Sequence, residues 1–200
     1  MSELPDLLTL CGGDDAHLRE NPADRALIFQ GRLLHVVKDT VTLPNGQSAT
    51  REMVVHPGAA MIVPILDDGR VLVERQYRHP MGQVVIEFPA GKLDPHEDRL
   101  RCAQRELQEE TGYTALQWAY AGQMAPSVAY TDERLDIWFA RGLKPGPTQL
   151  DDGELLDVAG AAPETLFALA RSGDIIDSKT LVGLLWLQDW LQGRWQPEWR

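Results

Sequence analysis

The chain has 200 residues, of which 44% are hydrophobic and 24% charged, a balance typical of globular proteins and not of disordered or fibrous ones. The formal net charge of −11 disfavours nucleic acid and anionic lipid as partners, because an acidic surface repels both. No apolar run reaches the length of about 18 residues that a membrane span needs. The acidic N-terminus does not resemble a signal peptide, and the two cysteines, Cys11 and Cys102, lack metal or disulfide spacing. We therefore expect a cytoplasmic protein with reduced thiols.

The N-terminal part of the chain predicts a polar arm followed by a small β unit. Residues 1–25 are polar and broken by proline and glycine, which indicates an irregular arm. Two runs with strand character, 33–38 and 48–56, flank a Pro-Asn-Gly sequence that is a strong turn signal. We expect an N-terminal arm and β unit over 1–56, and a second domain over 57–200.

The remainder of the chain alternates between strand and helix signals. Segments with strand character are 59–66, 70–78, 84–88, 116–120, 135–140 and 155–159, and segments with helical character are 95–110, 163–171 and 178–193. A loop is expected to begin at Lys144. Several strands with one central helix and two late helices indicate a mixed α/β domain.

The segment 91–113, GKLDPHEDRLRCAQRELQEETGY, carries the strongest functional signal. At about 100° per residue, Glu106, Glu109 and Glu110 share one face of the predicted helix. Three carboxylates on one face repel one another unless a cation lies among them, and hard oxygen ligands favour Mg²⁺ or Mn²⁺. A run such as RELQEE, taken alone, is often only the solvent-exposed face of a charged helix. The spacing across the whole segment favours a site.

The same segment resembles the Nudix box, Gly-x5-Glu-x7-Arg-Glu-aliphatic-x-Glu-Glu-x-Gly-aliphatic. Every fixed position matches, with Tyr113 where the family usually has an aliphatic residue. The flanking stretches LPNG, REMVVHPGAAMIVPIL, VLVERQYRHP, VIEFPAGKLD and GDIIDSKTLVGLLWL are similar to the ADP-ribose pyrophosphatase branch of that family. The resemblance implies an α/β/α Nudix sandwich with a mixed sheet, preceded by a small N-terminal β unit. In this branch that unit is often exchanged between the subunits of a homodimer.

The resemblance also implies roles for individual residues. The implied metal ligands are the carbonyl of Ala90 and the carboxylates of Glu106, Glu109 and Glu110, with Glu109 as a ligand or a group that positions the attacking water. Glu97 and Arg105 correspond to an ion pair that holds the preceding loop against the helix and supports catalysis. Mg²⁺ is the implied cofactor, and Mn²⁺ is expected to substitute for it.

The general base is expected on a loop after the box, where this branch often carries a glutamate. Glu154 is the first choice, and Glu133 is the second. Either residue could equally be a solvent-exposed loop carboxylate.

Substrate recognition requires positive charge and an aromatic surface. The resemblance suggests that Arg51, Arg75 and Arg78 hold phosphates or the terminal ribose and that Glu52 lies near the adenine. Phe29 could stack on a purine across a dimer, although a phenylalanine is more often part of a core. The arginines could also be ordinary surface residues.

Together these features lead us to expect an enzyme that hydrolyses the diphosphate of ADP-ribose to AMP and ribose 5-phosphate with Mg²⁺. The nearest alternative is a pyrophosphatase for another nucleoside diphosphate sugar, such as one like GDP-mannose. A further alternative, of a different class, is a sensor that binds ADP-ribose without cleaving it. The expected partners are a small nucleoside diphosphate and a second copy of the chain.

Overall fold

The computed structural model describes residues 6–200 of the chain, which form two compact units. The first unit comprises the described residues up to His56 together with Ala129–Asp132, and the second comprises Pro57–Val128 and Glu133–Arg200. Across residues 6–200, no helix has both the length and the apolar character needed to cross a membrane.

The first unit is a three-stranded antiparallel sheet preceded by a short helix. Its elements are α1 (Leu7–Cys11), β1 (Asn21–Gln30), β2 (His35–Thr42) and β3 (Ser48–Val55), in the sheet order β1-β2-β3. The predicted hairpin between the last two strands is confirmed, with Thr42 paired to Ser48. The N–H of Val54 in β3 donates to the carbonyl of Tyr130 at 2.8 Å, which ties the segment 129–132 to this unit.

The expectation of an irregular arm over 1–25 is wrong at Leu7–Cys11, which is helical, and from Asn21 onward, where β1 begins. Pro22 is a strand breaker by its local signal, but it lies on an edge strand, where a missing N–H removes no essential ladder hydrogen bond. The irregularity of pairing between Pro22 and Asp24 absorbs the remaining mismatch. Pairing with β2 therefore overrides the local signal of the proline. This pairing depends on residues distant in the sequence and could not be predicted from the local pattern.

A seven-stranded mixed sheet forms the frame of the second unit. Its strands are β4 (Ala59–Ile65), β5 (Val71–Arg78), β6 (Gln83–Glu87), β7 (Ala90–Lys92), β8 (Tyr113–Met124), β9 (Leu135–Pro145) and β10 (Leu156–Ala161). The order is β10-β5-β4-β9-β8, with β6 paired to β5 and β7 paired to β4. Strands β4 and β9 run parallel and the other pairs run antiparallel, so the expected mixed sheet is confirmed.

Helices cover both faces of this sheet. They are α2 (Arg99–Thr111), α3 (Pro163–Ser172) and α4 (Ser178–Leu191). Successive side chains of β4 point to opposite faces of the sheet, so this strand contributes to two separate parts of the core. Ala60 and Ile62 pack in the cluster that contains Leu107 of α2. Met61 and Val63 belong instead to the cluster on the side of α3 and α4. This arrangement confirms the expected α/β/α sandwich.

Several element boundaries differ from the sequence-based expectation. Helix α2 begins at Arg99 and not at residue 95, because the Asp98 side chain accepts the N–H groups of Leu100 at 3.0 Å and Arg101 at 3.3 Å. Strand β9 continues to Pro145, past the point where a loop was expected, since it pairs with β8 along its whole length. Strand β7 was not anticipated, because three residues carry no periodic signal.

Gly112 ends α2 in the left-handed region, with φ of +74°, and a Cβ there would lie 2.5 Å from the carbonyl oxygen of Gly146. Gly173 ends α3 with φ of +84° and open space around it. We expect Gly112→Ala to lower the free energy of unfolding by more than about 3 kcal/mol, because left-handed strain adds to a backbone collision. Gly173→Ala, with the strain alone, should lose about 1–2 kcal/mol. Urea unfolding measures both, and equal losses would contradict the close approach at Gly112.

Candidate active site

Helix α2 presents two buried glutamates to the sheet. Ala103 and Leu107 are fully buried against β4 and β9, which fixes the rotation of the helix about its axis. Glu106 and Glu110 lie one turn apart and are 9% and 5% exposed, whereas the side chain of Glu109 is 33% exposed. The carboxylates that share the predicted face therefore differ in burial, and the two deepest are those nearest the sheet.

The short strand β7 forms the other wall beside these glutamates. The backbone N–H of Ala90 donates to Oε2 of Glu110 at 3.0 Å. At Gly91 an added Cβ would lie 1.8 Å from Cδ of Glu106, so only glycine lets this carboxylate approach the backbone. The glycine and the helix together create a narrow space that holds two carboxyl groups against main chain.

Arg105 is the cation of this site. Its Nε and Nη2 donate to Glu97 at 2.9 and 2.8 Å, and its Nη1 donates to Glu106 at 2.7 Å and to Glu109 at 3.0 Å. The hydrogen bonds from Arg105 lower the pKa of Glu97 to about 2. Arg105 also donates to the carbonyl of Lys92 at 3.0 Å, so one guanidinium joins the loop before α2 to the carboxylates on the helix.

Two further carboxylates lie close to this cluster, Glu74 on β5 and Glu154 on the loop before β10. Gln76, on the same face of β5 as Glu74, donates to Glu154 at 3.4 Å. The negative charge of Glu154 contributes to raising the pKa values of Glu74, Glu106 and Glu110, so all four groups share one electrostatic environment. The sequence predicts a role for Glu154 but none for Glu74, whose only signal is a carboxylate directly after three apolar residues of a strand.

These carboxylates are hard to ionise together without a cation. Burial, with smaller contributions from Glu109 and Glu154, raises the pKa of Glu106 to about 7 even though Arg105 opposes the shift. Burial and then the charges of Glu74 and Glu106 raise the pKa of Glu110. One buried oxygen of Glu74, Oε1, accepts no hydrogen bond within the described chain. Clustered hard oxygens with an unsatisfied member fit a divalent metal ion.

The carboxylates do not yet surround a common centre. Among residues 6–200, no group of three or more His, Cys, Asp or Glu side chains has the geometry of a metal site as it stands. Arg105 engages Glu106 and Glu109, which draws their oxygens toward the guanidinium. Arg105 engages only Oε1 of Glu106 and Oε2 of Glu109, so a metal ion could contact the second oxygen of each carboxylate.

The two candidate arginines on β5 lie on opposite faces of the strand. Arg78 shares the face of Glu74 and donates Nε and Nη2 to Glu87 at 2.7 and 2.9 Å. Its Nη1 makes no hydrogen bond with the described residues. Arg75 points to the other face, where its Nη1 lies 3.3 Å from Asp157. Only Arg78 is therefore on the side of the carboxylates.

The other three candidates for substrate contact belong to the first unit. Arg51 and Glu52 are exposed on β3, and Nε of Arg51 donates to Glu20 at 2.9 Å. Phe29 on β1 is 53% exposed, so it is not part of a core within this chain. The structure thus groups the carboxylates and Arg78 in the second unit and leaves these three residues in the first.

Comparison with known proteins agrees with this architecture. Residues 55–181 match the NUDIX domain, which is more than half of the chain, and the chain therefore belongs to the Nudix family of hydrolases. Within the family, the expected likeness to the ADP-ribose pyrophosphatase branch is confirmed. The "ADP-ribose pyrophosphatase" of Bacillus subtilis (strain 168) is 33% identical over 173 residues, covering 86% of this chain and 94% of that protein.

Two other proteins extend the comparison. The "Methanol dehydrogenase activator" of Bacillus methanolicus is 37% identical over 163 residues, covering 80% of this chain and 88% of that protein. Among solved structures, the crystal structure of an ADP compounds hydrolase matches with a TM-score of 0.77 and 25% identity. It covers 87% of this chain and 96% of the other. Nudix hydrolases generally use divalent metal ions, which agrees with the carboxylate cluster.

The raised pKa of Glu106 predicts how the stability of the metal-free protein depends on pH. An unfolded glutamate titrates near a pKa of about 4.3, whereas Glu106 in the folded chain titrates at about 7. Between these values the native state binds more protons, so the free energy of unfolding should fall as the pH rises from about 4.3 to about 7. Glu74 and Glu110 act in the same direction.

We expect Glu106→Gln to flatten this fall, because an amide does not titrate, while the exposed Glu164→Gln should leave the fall unchanged. Urea unfolding in the presence of a chelator, at several pH values between 4.5 and 7.5, is the measurement. An identical slope for wild type and Glu106→Gln would rule out a strained carboxylate at this position.

Proposed function

We propose that this chain is an Mg²⁺-dependent hydrolase that cleaves the diphosphate of ADP-ribose to AMP and ribose 5-phosphate. Relatives from Bacillus subtilis and Mycobacterium tuberculosis, both 33% identical, carry the name ADP-ribose pyrophosphatase. The structural neighbour is described as an ADP compounds hydrolase. These names support an adenosine diphosphate substrate over a guanosine one.

The observation that carries the proposal is the shared environment of Glu106, Glu110 and Glu154. The first two lie on α2, and the third comes from a loop more than forty residues further along the chain. The charge of Glu154 raises the pKa of both Glu106 and Glu110, and the charge of Glu106 raises the pKa of Glu110, which is an arrangement that a stable fold has no need to build. Gly91 adds the close backbone approach that such a site requires.

Bound divalent ions neutralise the charge of a diphosphate and lower the pKa of an attacking water. The residues that would hold them are Glu106, Glu109, Glu110 and the carbonyl of Ala90. Arg105 holds Glu106 and Glu109 in reach of one another, and Glu97 fixes Arg105. Arg78 offers its Nη1 donors to the substrate phosphates while Glu87 fixes the rest of its guanidinium.

Glu154 is the proposed general base, with Glu133 as the second candidate. A base must reach the proton of the attacking water, which lies beside the phosphates and therefore beside the carboxylates that hold the metal. The influence of Glu154 on Glu106 and Glu110 supports this position, and Gln76 restrains one of its oxygens. Arg51, Glu52, Arg75 and Phe29 remain proposed contacts to the rest of the substrate.

A substrate panel tests the proposed reaction. ADP-ribose, GDP-mannose, NADH and a diadenosine polyphosphate are each incubated with the protein and Mg²⁺, and the products are separated by chromatography. We expect AMP and ribose 5-phosphate from ADP-ribose as the fastest reaction. Glu106→Gln and Glu110→Gln should each lower kcat by about 10²-fold or more while the fold is kept. Binding of ADP-ribose without turnover by wild type would favour the sensor instead.

Replacing the proposed base separates the two loop candidates. Glu154→Gln should lower kcat by about 10²-fold to 10⁴-fold and remove the acid limb of the pH profile, because no group remains to take the proton. Glu133→Gln should change kcat much less. Steady-state kinetics at saturating Mg²⁺ between pH 5 and 9 provides both readouts. The reverse order of effects would transfer the role to Glu133.

We also propose a homodimer that forms through the first unit. Strand β1 is exposed along its whole length, and its Leu27, Ile28 and Phe29 are all more than half exposed. An edge strand with adjacent apolar side chains is a surface that another chain covers.

We also propose a cytoplasmic location, supported by Cys11 and Cys102, which are both free thiols.

Light scattering tests the dimer directly. The full-length protein at micromolar concentration should have twice the mass of one chain, and Ile28→Glu should shift it toward a single chain by placing a charge on the apolar edge. Leu116→Glu, which changes an exposed leucine of β8 in the second unit, is the matched control and should not alter the mass. A single-chain mass with full activity for wild type would refute the proposed assembly.

A further inference from the structure

Glu74 is a buried carboxylate that the Nudix box does not include. It lies in the middle of β5, paired with Val158 of β10 on one side and with Glu87 of β6 on the other. The residue is 3% exposed, and its Oε1 atom accepts no hydrogen bond from the described residues. A buried carboxyl group without a full set of hydrogen-bond partners is unfavourable, so its presence between two strands requires an explanation.

The cations nearest Glu74 are committed to its neighbour. Glu87 receives two hydrogen bonds from Arg78 and a further one from Lys179, which also contacts Asp177 at 3.1 Å. Although burial opposes the shift, these contacts lower the pKa of Glu87, which marks it as the satisfied member of the pair. Glu74 feels the charges of Lys179 and Arg78, but its Oε1 receives no hydrogen bond from either, so an ordinary structural ion pair does not account for it.

The strand directs Glu74 toward the carboxylates of α2. Val71 and Val73 belong to the core on the side of α3 and α4, so alternation places Glu74 and Gln76 on the opposite face of the sheet, on which α2 packs against β4. Gln76 reaches Glu154 on this face. Glu110 enters the same layer from α2, where it is 5% exposed and its Oε2 accepts the N–H of Ala90 on β7 at 3.0 Å. The unsatisfied oxygen of Glu74 therefore lies in the layer between the sheet and α2 that also holds Glu110 and Glu154.

We propose that Glu74 is a further carboxylate ligand of the divalent metal ion, supplied by β5 from outside the Nudix box. The proposal rests on the metal-dependent function proposed above. Mg²⁺ and Mn²⁺ take about six oxygen ligands, and a carboxylate with an unsatisfied oxygen beside Glu110 can provide one of them. A bound metal would supply a positive charge beside Glu74, because Arg78 and Lys179 direct their hydrogen bonds to Glu87.

Direct metal binding without substrate tests this role independently of turnover. Mn²⁺ is titrated into the metal-free protein, and free Mn²⁺ is followed by electron paramagnetic resonance. We expect Glu74→Gln to raise the Kd for Mn²⁺ by about tenfold or more, or to remove one bound ion. The exposed Glu164→Gln on α3, which removes the same charge elsewhere, should bind like wild type. A smaller effect of Glu74→Gln, with unchanged stoichiometry, would overturn the proposal.

The thermal stability of the same variants separates a ligand from a structural residue. Without metal, Glu74→Gln and the apolar Glu74→Met should melt at the same temperature as wild type or higher, because each removes a buried carboxyl group with an unsatisfied oxygen. Both should lose most of the rise in Tm that millimolar Mn²⁺ gives to wild type. If both variants melt lower than wild type without metal and still gain the full rise with Mn²⁺, Glu74 is structural and the proposal fails.

Two variants of the Nudix box distinguish a failure of the proposed metal-dependent function from a failure of the proposed role of Glu74. Glu106→Gln and Glu110→Gln are titrated with Mn²⁺ in the same way. If they lose Mn²⁺ binding and Glu74→Gln keeps it, the proposed function stands and the assignment of Glu74 is wrong. If wild type itself fails to bind Mn²⁺, both the metal-dependent function and the role of Glu74 are refuted.

Discussion

The desolvation of two neighbouring carboxylates, Glu106 and Glu110, is the constraint on which the second unit depends. Burial raises the pKa of both groups, and the charge of Glu106 adds to the rise at Glu110. The helix that carries them cannot rotate them into water, because Leu107 on an adjoining stripe is fully buried in the core. The fold therefore holds two carboxyl groups where burial disfavours their charged form, which is typical of a ligand-binding site.

In the metal-free chain, Arg105 partly neutralises the carboxylates of α2. One guanidinium contacts Glu97 on the loop and both Glu106 and Glu109 on the helix, so the loop, the helix and the carboxylates share a single cation. Under the proposed function, a divalent ion would take over part of this neutralisation. Metal binding would then be coupled to the position of the loop, since Arg105 holds all three glutamates at once.

The carboxylate of Glu87 on β6 shows the opposite behaviour, because neighbouring cations compensate its burial. Glu87 is as deeply buried as Glu74, yet Arg78 and Lys179 satisfy it and lower its pKa. The contrast between two paired residues on adjacent strands shows that burial alone does not mark a functional carboxylate. What distinguishes Glu74 is the lack of a partner for one oxygen, and that property depends on where the neighbouring cations go.

Part of this protein follows from its sequence alone. The spacing of the box places Glu106 and Glu110 on one helical face, and turn residues fix the hairpin between β2 and β3, because these features depend on neighbours a few residues apart. The box motif also indicates the family, and the resemblance to that family implies the α/β/α class.

Other features were decided only by the tertiary structure. Strand β1 begins at Asn21 in spite of Pro22, and β7 is a strand only because β4 lies beside it. The isolation of Glu74 could not be predicted either, since it results from Arg78 and Lys179 converging on Glu87 from different elements. Pairing between strands and the distribution of buried charge are set by residues distant in sequence, whose meeting no local pattern records.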